Sequence, residues 1–299
     1  MKLRKKIVLT LVLVIALSVF SVEIALASCV NPPSGLVSWW PGDGNTQDIA
    51  DSNPGTLTNG ASYTTGKVDQ AFNLDGVDDY VFIGNPSNLN MSTVITIDAW
   101  VNPSAAPSPG QIATIVNKWG QSVATDSYQI YLINNGSGSW VFGGAMGDGA
   151  TPNGGFTSAP TTIPVGSWTH VAMTYDTNDT TAGPLGTQKI FVNGAQVNIR
   201  NRDGIHVATK NVLIGKEDSF LPRYFPGAID EVEIFDRVLS LTEIQSIYNA
   251  DAAGKCKPSA GVNTNHIGLF GLLAMVLGFL MVGGSLRTFK RNKVRASLF

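Results

Sequence analysis

Four carboxylates, Asp230, Glu231, Glu233 and Asp236, fall within seven residues at the start of the stretch IDEVEIFDRVLSLTEIQSIYN (Ile229 to Asn249). Acidic side chains this close can hydrolyse a glycosidic bond, hold a cation, or decorate a strand. In an extended segment Asp230, Val232 and Ile234 share one face, and Ile229, Glu231, Glu233 and Phe235 share the other. Glu231 and Glu233 would then stand about 7 Å apart, two residues of ~3.4 Å rise. That separation lies between those of retaining and inverting glycosidases, so distance alone permits catalysis. The plainer reading puts both glutamates on the solvent face of an edge strand. Asp230 differs, because it shares its face with Val232 and Ile234. A carboxylate there has to be paired, hydrogen-bonded or bound to a metal.

Other oxygen donors are scattered through the chain. Gly42-Asp43-Gly44-Asn45 offers short side chains and free carbonyls of the kind calcium prefers, without the spacing of an EF-hand. Asp75-Gly76 and Asp78-Asp79 have the composition of a hairpin turn, and turn chemistry accounts for their carboxylates; Asp79 is a further metal candidate. The candidate calcium ligands are therefore Asp43, Asn45, Asp230 and Asp79, with Asp230 capping loop amides as the alternative. His170 lies in a strand, His206 in a loop and His266 near the C-terminus. Gly-x-Ser-x-Gly, HExxH and P-loop motifs are absent. Among the tryptophans, Trp40, Trp100 and Trp168 stand in apolar strands and read as core. Trp119 and Trp140 flank glycine-rich loops and are the candidates for an exposed platform that stacks on sugar rings.

These groups have to be positioned by a domain whose limits the chain ends suggest. Lys2, Arg4, Lys5 and Lys6 precede an apolar run from Ile7 to Phe20, and Ala25-Leu26-Ala27 follows. This pattern predicts a signal peptide over residues 1–27. Ile267 to Leu286 contains no charged or amide side chain, and Arg287, Lys290, Arg291, Lys293 and Arg295 come directly after it. A transmembrane helix over 267–286 with a cytoplasmic basic tail over 287–299 is expected, following a polar linker over 257–266. The domain over 28–256 would then be exported and held at the cell surface or on the periplasmic side.

Of the 20 Lys and Arg, four lie in the leader and five in the tail, which leaves 11 for residues 28–258 against 21 Asp and Glu, a net charge of −10. That excess argues against nucleic acid as a partner. Cys29 and Cys256 stand at the two ends of this region, and an exported protein can join them in a disulfide. Leu26-Ala27-Ser28-Cys29 also fits a lipobox, in which Cys29 carries lipid and Cys256 stays free.

Between the cysteines, ITIDAWVNP, YQIYLIN, SWTHVAMTYD and QKIFVNGAQV alternate β-branched or aromatic residues with small or polar ones, and clusters of Gly, Asn, Asp and Pro divide them. Asn193-Gly194 marks a two-residue hairpin. One helix is predicted, opened by the capping box Ser240-Leu241-Thr242-Glu243, with Leu241, Ile244, Ile247 and Tyr248 on one face. The pattern predicts an all-β, two-sheet antiparallel sandwich with a short C-terminal helix.

GLVSWWPGDGNTQDIADSNPGTL, QAFNLDGVDDYVFIG, ITIDAWVNP, GSWTHVAMTYD, IFVNGAQV and FPGAIDEVEIFDRVLS, in that order, resemble the successive strands of a laminin-G-like jelly roll of the concanavalin A-like lectin/glucanase superfamily. The resemblance covers residues 29–256. It implies that IDEVEIF is the final strand and that the capped helix packs the chain end onto the sandwich. It implies one structural calcium near Asp230 and the loop after the first strand. Sandwich glucanases of this superfamily carry Glu-x-Asp with a further Glu two or three residues on, and this chain departs from that order. A non-catalytic module binding an extracellular glycan or protein is therefore expected. A glycoside hydrolase with a departed motif, or an envelope module without ligand, are the alternatives.

Overall fold

The computed structural model describes residues 28–258, apart from 121, 123, 135, 137, 151–154 and 203. The predicted leader and transmembrane segment lie outside the described residues. Among these residues no helix is long and apolar enough to cross a membrane.

Fifteen strands are described. The first seven are β1 (Leu36–Trp40), β2 (Thr56–Thr58), β3 (Ser62–Thr65), β4 (Gln70–Asp75), β5 (Tyr80–Gly84), β6 (Val94–Pro103) and β7 (Ile112–Lys118). The rest are β8 (Tyr128–Asn134), β9 (Trp140–Met146), β10 (Gly155–Ile163), β11 (Thr169–Asp176), β12 (Thr187–Val192), β13 (Ala195–Asn201), β14 (Val212–Ile214) and β15 (Pro226–Phe235). One sheet runs β13-β12-β11-β6-β15-β4-β3, with β1 also paired to β15; the other runs β10-β9-β8-β7-β14-β5-β2. All pairings between strands are antiparallel. Alternation in each strand sends one row of side chains between the sheets, where Trp40, Phe72, Ile97, Ile130, Phe142 and Ile229 are buried together.

The predicted local signals are present. Asn193 and Gly194, at φ 50° and 72°, turn β12 into β13. Helix α1 (Leu241–Asn249) has its box closed: Glu243 N–H donates to Ser240 Oγ at 3.3 Å, and Ser240 N–H donates to Glu243 Oε2 at 2.8 Å. Ile244 and Ile247 pack with Phe191, Phe235 and Leu239 on the outer face of the first sheet, whereas Leu241, expected on the same face, is exposed. The helix end in turn feeds the segment that closes the domain.

Cys29 and Cys256 are joined, with Cα atoms 4.9 Å apart and a sequence separation of 227. Cys256 N–H donates to the Val30 carbonyl at 2.8 Å, and Val30 N–H donates to the Gly254 carbonyl at 3.0 Å. The lipobox reading requires that same Cys29 sulfur, which here is consumed in the bridge.

β15 is not an edge strand. Its bulge, where Glu231 takes φ 52°, divides it in two. β4 pairs with Pro226 to Ile229 and β1 with Val232 to Phe235, so the two take successive halves of one side, and β6 takes the other. The final strand expected from the resemblance is therefore the middle of the sheet.

Candidate functional site

The glutamates expected in solvent are sealed. Glu231 is 1% exposed and Glu233 fully buried. The outer face of β15, which the edge-strand reading left to water, is roofed by the chain end, and the disulfide draws Lys255 beneath it. Lys255 Nζ lies 2.8 Å from Glu233 Oε1 and 3.1 Å from Glu231 Oε2. The Trp39 indole N–H donates to Glu231 Oε2 at 3.1 Å, and Lys255 Nζ stands 5.1 Å from the centre of the Trp39 ring. Asp98, the cross-strand neighbour of Glu233, is 3.1 Å from His170 Nε2 through Oδ2. One ammonium faces several carboxylates here. Burial would lower the Lys255 pKa, but Glu233, Glu231 and Asp98 outweigh it and hold the ammonium charged. Burial pushes the Glu233 carboxyl well up, against the pull of Lys255. A glycosidic bond cannot reach this buried pair.

Strict alternation puts Asp230 on the face of Val232 and Ile234, but the bulge that follows it resets the alternation and leaves Ile229 on that face instead; the Asp230 carboxylate reaches the loop before β4. Its Oδ2 accepts hydrogen bonds from Lys67 N–H at 2.7 Å and Val68 N–H at 2.9 Å. Its Oδ1 is buried with no hydrogen-bond donor. Burial pushes the carboxyl up to about 8, and Glu231 and Asp43 add to this against the two amides. Asp43 belongs to the same neighbourhood and accepts from Gln70 N–H at 3.1 Å. Gly42, at φ +77°, lets the chain pass where a Cβ would stand 3.1 Å from Ala71 Cα. Asn45 spends its side chain locally: Nδ2 donates to the Asp43 carbonyl at 2.9 Å and Oδ1 accepts from Gln47 N–H at 2.9 Å. Asp230 thus caps loop amides through Oδ2, while Oδ1 is buried without a hydrogen-bond donor. A hard oxygen-bound cation fits this donor set.

Asp79 is not part of that group. It lies with Asp75 and Asp78 at the other end of β4, five residues or about 17 Å of strand away. The four calcium candidates therefore divide between two places.

Trp119 and Trp140 form no exposed platform. Trp119 is fully buried against Tyr131 and Ala145, and Trp140, 1% exposed, opens β9 with its indole N–H donating to the Ala105 carbonyl at 2.8 Å. Trp119 is covered by side chains of β8 and β9 and Trp140 belongs to the core between the sheets, neighbours that sequence cannot show. Of the three expected in the core, Trp40 and Trp100 are buried and Trp168 is half-buried just ahead of β11. Lys255 and Asp98 were missed altogether. Their one sequence signal was the position of Lys255 beside a cysteine that had to reach the domain's other end.

The fold is an all-β jelly roll whose strand order and capped closing helix define a class. The profile of the concanavalin A-like lectin/glucanases superfamily matches residues 75–245, and the chain belongs to that superfamily. No curated protein matches the chain. Among solved structures, domain 4 of AbnA, a GH43 extracellular arabinanase from Geobacillus stearothermophilus in complex with arabinotriose, is similar at 20% identity and TM-score 0.54, covering 70% of this chain and 96% of that one. The binding domain of Paraclostridial Mosquitocidal Protein 1 is similar at 16% identity and TM-score 0.58, covering 72% and 52%. The binding domain of botulinum neurotoxin DC, in complex with rat synaptotagmin II, is similar at 14% identity and TM-score 0.55, covering 72% and 51%. This chain spans about half the length of those two toxin domains. At these identities the likeness is one of fold.

Proposed function

We propose that this chain is a non-catalytic binding module of an exported, membrane-anchored protein, recognising an extracellular glycan or protein. The observation that carries the reading is the sealed state of Glu231 and Glu233, both in contact with the buried Lys255 ammonium. A hydrolase needs two carboxylates facing a groove. Of the similar structures named above, two are binding domains, one of them in complex with a protein, and the third is an arabinanase domain in complex with arabinotriose, which supports a binding role without naming the ligand. In this reading residues 1–27 are the leader, 28–256 the binding domain, 257–266 the linker, 267–286 the membrane helix and 287–299 the cytoplasmic tail.

One structural calcium completes the proposal, held by Asp43 and Asp230. The buried, unpartnered Asp230 Oδ1 supports it. Calcium would supply fixed positive charge between the first loop and β15. The test of function is a glycan array probed with the full chain, with calcium and with EDTA, alongside the Glu231→Gln variant. Saturable binding retained by that variant is the expected result. Hydrolysis of any arrayed glycan that is lost in Glu231→Gln, with the fold intact, would overturn the non-catalytic reading.

A further inference from the structure

We propose that Asp75, Asp78 and Asp79 form a divalent-cation site separate from Asp43 and Asp230, at the opposite end of β4. One carboxylate oxygen from each of the three lies within 4.8 Å of those of the other two. Turn chemistry accounts for only part of this cluster. Asp75 Oδ1 accepts from Val77 N–H at 2.8 Å and Asp78 N–H at 3.3 Å, and Asp79 Oδ2 accepts from Asp75 N–H at 3.0 Å. Asp79 is 3% exposed, yet its Oδ1 has no hydrogen-bond donor. A buried carboxylate oxygen without a donor has lost its water and gained nothing in return.

Counter-charge is missing as well. Among the described residues no Lys, Arg or His stands within ion-pair distance of any of the three carboxylates. Lys216 is close by but stands over the Tyr80 ring, 4.6 Å from its centre, and 5.5 Å from that of Tyr224. The turn cannot spread to relieve the repulsion. Gly76, at φ +77°, is pressed where a Cβ would meet Pro226 at 2.7 Å, and Asn59 Nδ2 ties the Asp78 carbonyl at 2.5 Å. Gly60 leaves just room for the Asp79 carboxylate, since a Cβ there would stand 3.0 Å from Oδ1.

The donors are all hard oxygens, which selects calcium over zinc or copper. Asp75 and Asp78 are exposed, so the cation would keep water on its outer side and present open positions at the rim of the sandwich, beside Tyr80 and Tyr224. Such a site would be weak, in the ~0.1–1 mM range of extracellular modules.

The experiment is calcium titration of the full chain by isothermal calorimetry, comparing wild type with Asp78→Asn, Asp79→Asn and Asp230→Asn. The expected result is a calcium-binding component that Asp230→Asn retains and that each of the other two weakens at least tenfold. Asp78 is exposed, so that variant decides the matter even if Asp79→Asn fails to fold. Calcium binding unchanged in Asp78→Asn, or no uptake up to ~10 mM in the wild type, would overturn the site. Loss of binding only in Asp230→Asn would overturn it too, while leaving the Asp43 and Asp230 proposal standing.

Discussion

Lys255 Nζ and Glu233 Oε1 lie 2.8 Å apart in the middle of the first sheet, and each side chain is at most 2% exposed. Neither is stable there alone, because an uncompensated buried charge is among the costliest defects a fold can carry. Lys255→Met should therefore destabilise the domain by ~3–5 kcal/mol. Glu233→Gln keeps a hydrogen-bonding group beside Lys255 and leaves Glu231 and Asp98 as counter-ions, so about 1–3 kcal/mol is expected. Urea unfolding of the two variants measures both. Equal, negligible effects would mean that the pair is not sealed.

The disulfide and this ion cluster should not act independently. Closing a loop of 227 residues contributes about 5 kcal/mol in the chain-entropy model. Cys256 also holds Lys255 in place. Cys256→Ser and Lys255→Met, combined, should therefore cost less than the sum of the single changes, by at least ~0.5 kcal/mol. Additive losses in that double-mutant cycle would separate the two devices.

Lys118 should make stability rise on mild alkalinisation. It is fully buried, donating to the Lys210 carbonyl at 2.8 Å and to Asn85 Oδ1. Burial lowers its pKa from 10.5 to about 8, with Asp218 opposing. Between those two values the unfolded chain binds the proton that the folded chain has released, so this group's contribution increases with pH through that window. Below about pH 8 the charged, buried ammonium costs stability. Lys118→Met should flatten the wild-type slope of melting temperature between pH 8 and 10.5. An unchanged slope in the variant would refute the assignment.

At Asp230 two melting curves per protein separate calcium from amide capping. With calcium bound only by the folded state, the wild-type midpoint rises in excess calcium over EDTA, and Asp230→Ala blunts the rise. With capping alone, Asp230→Ala loses ~1–3 kcal/mol in both conditions and the two proteins respond to calcium equally.

The sequence by itself determined the all-β class, the Asn193-Gly194 hairpin and the Ser240 to Glu243 capping box, because each follows a local rule; it offered the joining of Cys29 to Cys256 beside a lipobox, and the structure joins them. Side-chain alternation put Asp230 on the face of Val232 and Ile234 and put Ile229 on that of Glu231 and Glu233, but the bulge at Glu231 resets the period, so Ile229 joins Val232 and Ile234 in the core between the sheets. Only the tertiary structure decided what covers each face. β1 and β4 share one side of β15, and the disulfide brings Lys255 over it, which turns an expected solvent face into a buried ion cluster. Neighbours from other strands likewise bury Trp119 and Trp140, and Asp79 lies at a different end of β4 from Asp230. Burial is a property of neighbours from distant parts of the chain, and period-two alternation states neither where a bulge resets the faces nor whether a face meets water.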